Sequence, residues 1–470
     1  MKRIAMTLLF SMVVFFTFSQ NLVQPKVDER TELLSIIFRL AGSKEYTYNN
    51  IPSYAKDIDE YFSPFKEHAA IKFAQKVRAE HGVSYDAVMS LAIILEITDS
   101  VKVNPNVSLK SLDSRWTPEN VKAFTLSLNK FYVNTKFRDF FSKHSSLYKT
   151  AEDKFSILLN KIDFNWFEKF YGEKSRGNFK LVLSIPNGPG NYGPKSIFNN
   201  GNEDLYAIIG CCMADSTGQP SYSEFARPIV IHEYNHSFCN PIMEANYPAM
   251  QSKSEEIFKL VKEKMSAQAY GTSKTMNYEI LVRACVIKYF QRKKENEEYV
   301  KSMIVKEKAN GFLWIEQLVD QLSIYEKNRD KYPTLKDFMP EIVKLQNTLS
   351  PEVLIKEIEL NSPKIESISI ENNSTNVNPN IREIILRFDK PMNVGNNGTS
   401  YGKLGKDYFP DVSKDRKTNW NLKTKKEWII QIDLKPDRSY SLSFPAEFFK
   451  SESGNPLDKT YYLDFKTAKE

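Results

Sequence analysis

Cysteine and histidine are scarce in this chain: its 470 residues include four cysteines, Cys211, Cys212, Cys239 and Cys285, and five histidines, His68, His81, His144, His232 and His236. Four cysteines are too few for a disulfide scaffold. Cys211 and Cys212 are adjacent and poorly placed to bond to each other. All four lie in apolar stretches, which predicts buried thiols rather than a cysteine-rich zinc site; Cys239 with Cys285 is the one pairing left open. There is no internal repeat and no low-complexity tract, which with the composition excludes a disordered or fibrous chain. Beyond residue 20 no apolar run is long enough to span a bilayer.

An excess of one charge is also missing. The formal net charge is +7, and Lys2 and Arg3 contribute to it only until the N-terminal segment is removed. The basic clusters Lys293-Lys294 and Lys423 to Lys426 have acidic neighbours and read as solvated faces, so no nucleic-acid partner is expected. The first twenty residues differ from the rest: Ala5 to Phe18 is apolar, follows Lys2 and Arg3, and ends at Ser19-Gln20. That is the layout of a signal peptide over residues 1–20. Its apolar run falls short of the roughly 20 residues that cross a bilayer, and no cysteine near the cleavage region offers a lipid attachment point. The expectation is export to the medium, the periplasm or the cell surface, with no membrane span after cleavage.

The chain as a whole is globular in composition, with 41% hydrophobic, 13% aromatic and 26% charged residues. At roughly 100–200 residues per domain, two or three domains are expected. Helical spacing runs almost throughout 29–170, including Ile71 to Ala79, Ala87 to Ile97 and Val121 to Tyr132, with Thr117-Pro118-Glu119 as a capped helix start. Phe179 to Ile185 then alternates like a strand, Asn187 to Gly201 is rich in Gly, Pro and Asn, and Leu205 to Cys212 fits a second strand. A helix is predicted over Tyr222 to Phe238, ending at Asn240-Pro241. Further helices are predicted at about Ser254 to Gln268, Met276 to Gln291, Glu297 to Tyr325 and Leu335 to Glu357. Past Ser362 the runs Glu366 to Ile370, Ile381 to Phe388, Trp428 to Leu434 and Tyr461 to Phe465 alternate between turn-rich segments, the pattern of a small β-sandwich.

The sequence His232-Glu233-Tyr234-Asn235-His236 has the H-E-x-x-H spacing. On a helix, positions i and i+4 share a face, so both imidazoles can meet one metal ion while Glu233 is turned toward the attacking water instead. Zinc in such a site acidifies water and polarises a peptide carbonyl, and Glu233 is the base that takes the proton and returns it to the leaving amine. With five histidines in the chain, the pattern arises by chance on the order of a few times per thousand such sequences. Strand, loop, strand and H-E-x-x-H helix is the zincin order, in which a free edge strand binds extended substrate; Leu205 to Cys212 is the candidate. No histidine follows His236, which excludes a downstream histidine ligand. The third ligand is then a carboxylate, with Glu279 the first candidate and Glu244 the second; the bland reading of Glu279 is a helix pair with Arg283 at i+4. Tyr192, Tyr278 and Arg283 are candidate donors to a developing oxyanion, although packing or pairing is the favoured reading of each. Asn191 with Tyr192 offers a cleft wall or a plain surface turn.

Two stretches resemble known families. Gly190-Asn191-Tyr192-Gly193, His232 to Phe238 with Asn240-Pro241, and Glu279 with Val282-Arg283-Ala284 resemble a domain-of-unknown-function family of secreted bacterial proteins. That family is assigned to the gluzincin metallopeptidases by its H-E-x-x-H, and the likeness covers about residues 30 to 345. Glu371-Asn372-Asn373-Ser374 through Pro379, with Ile384 to Met392, resembles bacterial Ig-like domains of secreted and surface-layer proteins. The expected architecture is therefore α+β. Residues 21–360 form a zincin-like catalytic domain, with a helical part over 29–170 and an active-site part over 171–360, and 361–470 form an Ig-like β-sandwich. The expected function is that of a secreted zinc metallopeptidase acting on a peptide or protein, with surface or matrix contact through the Ig-like domain. The alternative is a catalytically inactive binding or adhesion protein on the same scaffold.

Overall fold

Glu29–Leu40 begins where Asp28, in extended conformation, accepts the Arg30 amide at 2.9 Å, a carboxylate cap that satisfies an otherwise orphan donor. The computed structural model describes residues 23–174, 177–292, 297–395, 397–412 and 419–469. The expected signal segment and the Lys293-Lys294 cluster lie outside them. Two compact units emerge: residues up to Lys161 together with Gly177–Arg227, and Ile162–Arg176 together with Pro228–Glu470. The strand–loop–strand stretch thus groups with the helical N-terminal part.

In the first unit, the helices Ala69–His81, Pro118–Asn134 and Ser145–Leu159 each turn an apolar side inward.

 These helices bury Ile71, Ala74 and Val77, Val121, Phe124 and Leu128, and Tyr148, Phe155 and Leu158. Thr117 caps Pro118–Asn134 as its sequence predicts, accepting the Asn120 amide. The helical reading of Ala87 to Ile97 is only half right: Asp86–Ala92 is helix, but Leu95–Ile97 is a strand paired with Val101–Val103.

The sheet of this unit runs Lys26–Val27, Asn178–Ser184, Glu203–Gly210, Lys195–Phe198, Val107–Ser108, and Asn191–Tyr192 also pairs with Glu203–Gly210. This corrects the edge-strand expectation. Glu203–Gly210 is an inner strand, parallel to Asn178–Ser184 on one side and antiparallel to Lys195–Phe198 and Asn191–Tyr192 on the other. Its continuous apolar run, Tyr206 to Ile209, is what burial on both faces demands. The Gly-rich loop folds back onto it so closely that a Cβ on Gly210 would collide with the Gly188 carbonyl.

Under this sheet Glu32 is fully buried, accepting the Tyr54 hydroxyl at 2.6 Å and the Ile185 amide at 2.8 Å. Burial outweighs these bonds and pushes its carboxyl up from 4.5 to about 7. The folded state therefore binds this proton more tightly than the unfolded chain does. The stability it contributes is complete below about pH 4.5 and is lost as pH rises through about 7, a fall on the order of 3 kcal/mol. Glu32→Gln is expected to remove that component. Its advantage over wild type in urea unfolding should grow between pH 5 and pH 8, and parallel pH profiles would disprove the assignment.

The histidine helix, Ala226–Ala267, which from Pro228 onward belongs to the second unit, does not stop at Asn240-Pro241 but continues through Pro241 and Pro248. The buried series Phe238, Ile242, Met250, Ile257, Val261 and Met265 supplies the reason: packing along one side outweighs the bonds the two prolines remove. The carboxylate helix, Ser273–Gln291, starts at Thr272, whose side chain accepts the Thr275 amide, and is buried around most of its circumference. Asn277 donates to Ser254 at 2.6 Å, and Tyr247 and Ser273 hydroxyls meet at 2.7 Å, so polar bonds as well as packing set the two helices together. Glu297 to Tyr325 and Leu335 to Glu357 each divide, into Glu297–Ala309 and Ile315–Lys327 around Gly311, and into Leu335–Thr348 and Pro351–Asn361.

The C-terminal strands are close to those expected. Ile365–Ile368, Glu383–Phe388, Glu427–Asp433 and Asp411–Val412 form one sheet, with Asn419–Trp420 also on Glu427–Asp433; Ser400–Tyr401, Ser439–Phe444 and Tyr461–Lys466 form another. Leu386 and Trp428 from the first join Leu442, Phe444 and Leu463 from the second in one core, which makes the pair a sandwich. Among the described residues no helix is long and apolar enough to cross a membrane.

Candidate metal centre

His232 and His236 lie one turn apart on the histidine helix, and their Nε2 atoms are 3.1 Å apart. Glu279, from the carboxylate helix, places Oε2 at 3.4 Å from His232 Nε2 and Oε1 at 3.5 Å from His236 Nε2. These three form the one cluster of its kind among the described residues. Zinc bonds of about 2.0–2.2 Å at tetrahedral angles separate donor atoms by about 3.3–3.6 Å; the two imidazole–carboxylate separations match this, and the 3.1 Å between the imidazoles is slightly shorter, so small side-chain shifts would seat such an ion. The donor set, two imidazoles and a carboxylate, fits it as well.

The surroundings orient the donors. Asn240 Oδ1 lies 3.0 Å from His236 Nδ1. A carbonyl oxygen only accepts, so Nδ1 carries the proton and Nε2 keeps its lone pair for a metal. Behind the same turn, the Tyr171 hydroxyl donates to Asn235 at 2.7 Å, and the Tyr171 ring stacks on Phe238 at 4.2 Å, which locks the rotation of the helix. Burial alone would lower His232, but the Glu279 carboxylate outweighs it and raises the imidazole, with Glu233 adding to the effect. Burial would raise Glu279, yet His232, His236 and Arg283 hold its carboxyl far below the usual range. Glu233 is half-buried and stands outside the trio.

Asn240→Ala is expected to weaken metal binding about 10–100-fold, the usual cost of losing an outer-shell partner. Isothermal titration of the metal-free protein with zinc tests this, and unchanged affinity would show that Asn240 has no orienting role.

Of the other sequence candidates, Glu244 is not in the cluster. It is exposed, pairs with Lys274 at 2.8 Å and accepts the Tyr278 hydroxyl. Tyr278 is thereby directed at Glu244, and Arg283 is directed at Glu307, at 2.8 Å, and at Tyr270. Asn191 and Tyr192 belong to the first unit, where Tyr192 is buried beside Tyr46 and burial raises its hydroxyl well above the usual value. Cys239 and Cys285 are buried free thiols, Cys239 Sγ donating to Cys285 Sγ at 3.9 Å with no disulfide between them; Cys211 is also buried, but Cys212 is exposed, against expectation. Two site residues escaped the sequence reading. Asn240 carries the i+4 signal relative to His236, but beside Pro241 its sequence context points only to a helix end. Tyr270, whose hydroxyl donates to Glu279 Oε2 at 3.1 Å, sits in an inter-helix turn with no periodic signal.

The Domain of unknown function (DUF4932) matches residues 22–345. The chain belongs to that family. Both helices that carry the His232, His236 and Glu279 cluster fall inside the matched region, and residues 360–467 match the Bacterial Ig-like domain. No curated protein matches the chain. Among solved structures, the crystal structure of the S-layer protein rSbsC is similar at 10% identity and a TM-score of 0.17. The structure of surface layer protein SbsC, domains 1-6, is similar at 11% identity and a TM-score of 0.16. Each comparison covers 86% of this chain and 46% of the other, so this chain spans under half the length of either. At such TM-scores the likeness carries no weight for fold or function.

Proposed function

We propose that this chain is a zinc-dependent metallopeptidase of the gluzincin type, with a zincin-like catalytic domain, exported by a signal peptide and acting at or beyond the cell surface. The observation that carries the reading is the convergence of His232 Nε2, His236 Nε2 and the Glu279 carboxylate, with Glu233 next in sequence to the first ligand. When bound, zinc supplies Lewis acidity, polarising the scissile carbonyl and acidifying water. The remaining work belongs to the protein's own side chains. His232, His236 and Glu279 hold the ion, and Asn240 keeps the His236 ring in the right tautomer. The Glu233 carboxylate takes a proton from the attacking water and returns it to the amine nitrogen as the C–N bond breaks. The Tyr270 hydroxyl, pushed by burial up to about 12, stays protonated through the working pH range and remains a donor. The Ig-like domain fits contact with a surface or matrix, where a second attachment raises the effective concentration of substrate.

The test is elemental mass spectrometry of the purified chain beside His236→Ala, followed by a peptide-library digest. About one zinc per wild-type chain, absent from His236→Ala, with cleaved peptides, is the expected result. Zinc without cleavage would move the function to binding on the same scaffold, and a wild type that takes up no zinc would end the enzyme reading.

A further inference from the structure

The carboxylate of Glu279 is backed by three side chains from three segments. Tyr270, in the turn before the carboxylate helix, donates to Glu279 Oε2 at 3.1 Å. Arg283 Nη2 donates to the same hydroxyl oxygen at 3.0 Å, and Arg283 Nη1 donates to Glu307 Oε2 at 2.8 Å, on Glu297–Ala309. A guanidinium has donors and no acceptor. The tyrosine proton therefore cannot turn back toward Arg283 and is directed at Glu279.

Arg283 is also one turn along the helix from Glu279. Its Nε is buried, has no hydrogen-bond partner, and stands 3.6 Å from Glu279 Oε2. A guanidinium so close to a carboxylate forms a two-pronged pair by preference. That pair would occupy the lone pairs a metal needs. Glu307 draws the guanidinium the other way, and the Phe312 ring, 4.6 Å from it, supports it in that position. Asn310 in turn donates to Glu307 Oε2 at 3.2 Å.

We propose that Glu307 and Tyr270 are positioning residues for the third ligand. Glu307 restrains Arg283 from capturing Glu279, and Tyr270 delivers one hydrogen bond in place of that capture, which leaves the carboxylate free for a divalent cation beside His232 and His236. The inference rests on the metal-site reading above.

Cobalt(II) added to the metal-free full chain, followed by visible absorption, reads affinity and coordination geometry with no substrate present. Glu307→Gln is expected to weaken cobalt binding about 10–100-fold and to alter the absorption band, although Glu307 bonds Arg283 and Asn310 rather than any ligand. Adding Arg283→Gln in that background should recover part of the loss, because the competitor is gone; a purely structural role would make the two losses add. Tyr270→Phe should weaken binding to a similar degree, with the unfolding midpoint of the metal-free protein close to wild type. Wild-type affinity and spectrum in Glu307→Gln, or a deeper loss on adding Arg283→Gln, overturns the proposal. A wild type that takes up no more cobalt than His236→Ala is a separate failure, of the metal site itself.

Discussion

Changing Glu233 to glutamine is expected to lower kcat for peptide hydrolysis by about 10²–10⁴-fold, with zinc content and unfolding midpoint at wild-type values. Glutamine keeps the size and polarity of the side chain and removes only its basicity. One residue along a helix is a turn of about 100°, so Glu233 faces away from the line joining His232 and His236, and it takes no place in their cluster. The separation of ligand from base is what the experiment isolates. Loss of zinc together with activity would make Glu233 a ligand and defeat the assignment, and full activity without the carboxylate would remove it from the chemistry.

Glu279→Ala, by contrast, is expected to empty the site. Its carboxylate is buried and reaches both imidazoles, so its loss leaves two ligands where three converged. The fall in zinc affinity should exceed the 10–100-fold of an outer-shell change. Glu244→Ala provides the comparison: it removes the other carboxylate candidate downstream of His236, exposed and paired with Lys274, and zinc should be retained. Elemental analysis of the two variants decides between them. Zinc lost from Glu244→Ala and kept by Glu279→Ala would reverse the ligand assignment.

Where sequence reasoning went astray, a local signal met a non-local force. Asn240-Pro241 disfavours helix at that point, yet the buried side running from Phe238 to Met265 carries the helix through both prolines. Leu205 to Cys212 was compatible with an edge or an inner strand. Its lack of alternation was the sign of burial on both faces, and the pairing on each side agrees. The C-terminal strands were easier to read, because a period of two between turn-rich segments is itself the property a half-buried strand must have.

What the sequence determined by itself was whatever depends on neighbours along the chain. The i,i+4 spacing puts His232 and His236 on one face, Thr117 starts its helix, and alternation marks the sandwich. Tertiary structure alone set Glu279, and not Glu244, beside the two imidazoles, and it alone brought Tyr270, Arg283 and Glu307 behind that carboxylate. Those choices rest on how two helices pack, through contacts such as Asn277 with Ser254 and Tyr247 with Ser273. Periodicity cannot register such contacts, because the geometry of a helix relates only residues within a turn or two, while packing joins residues at any separation.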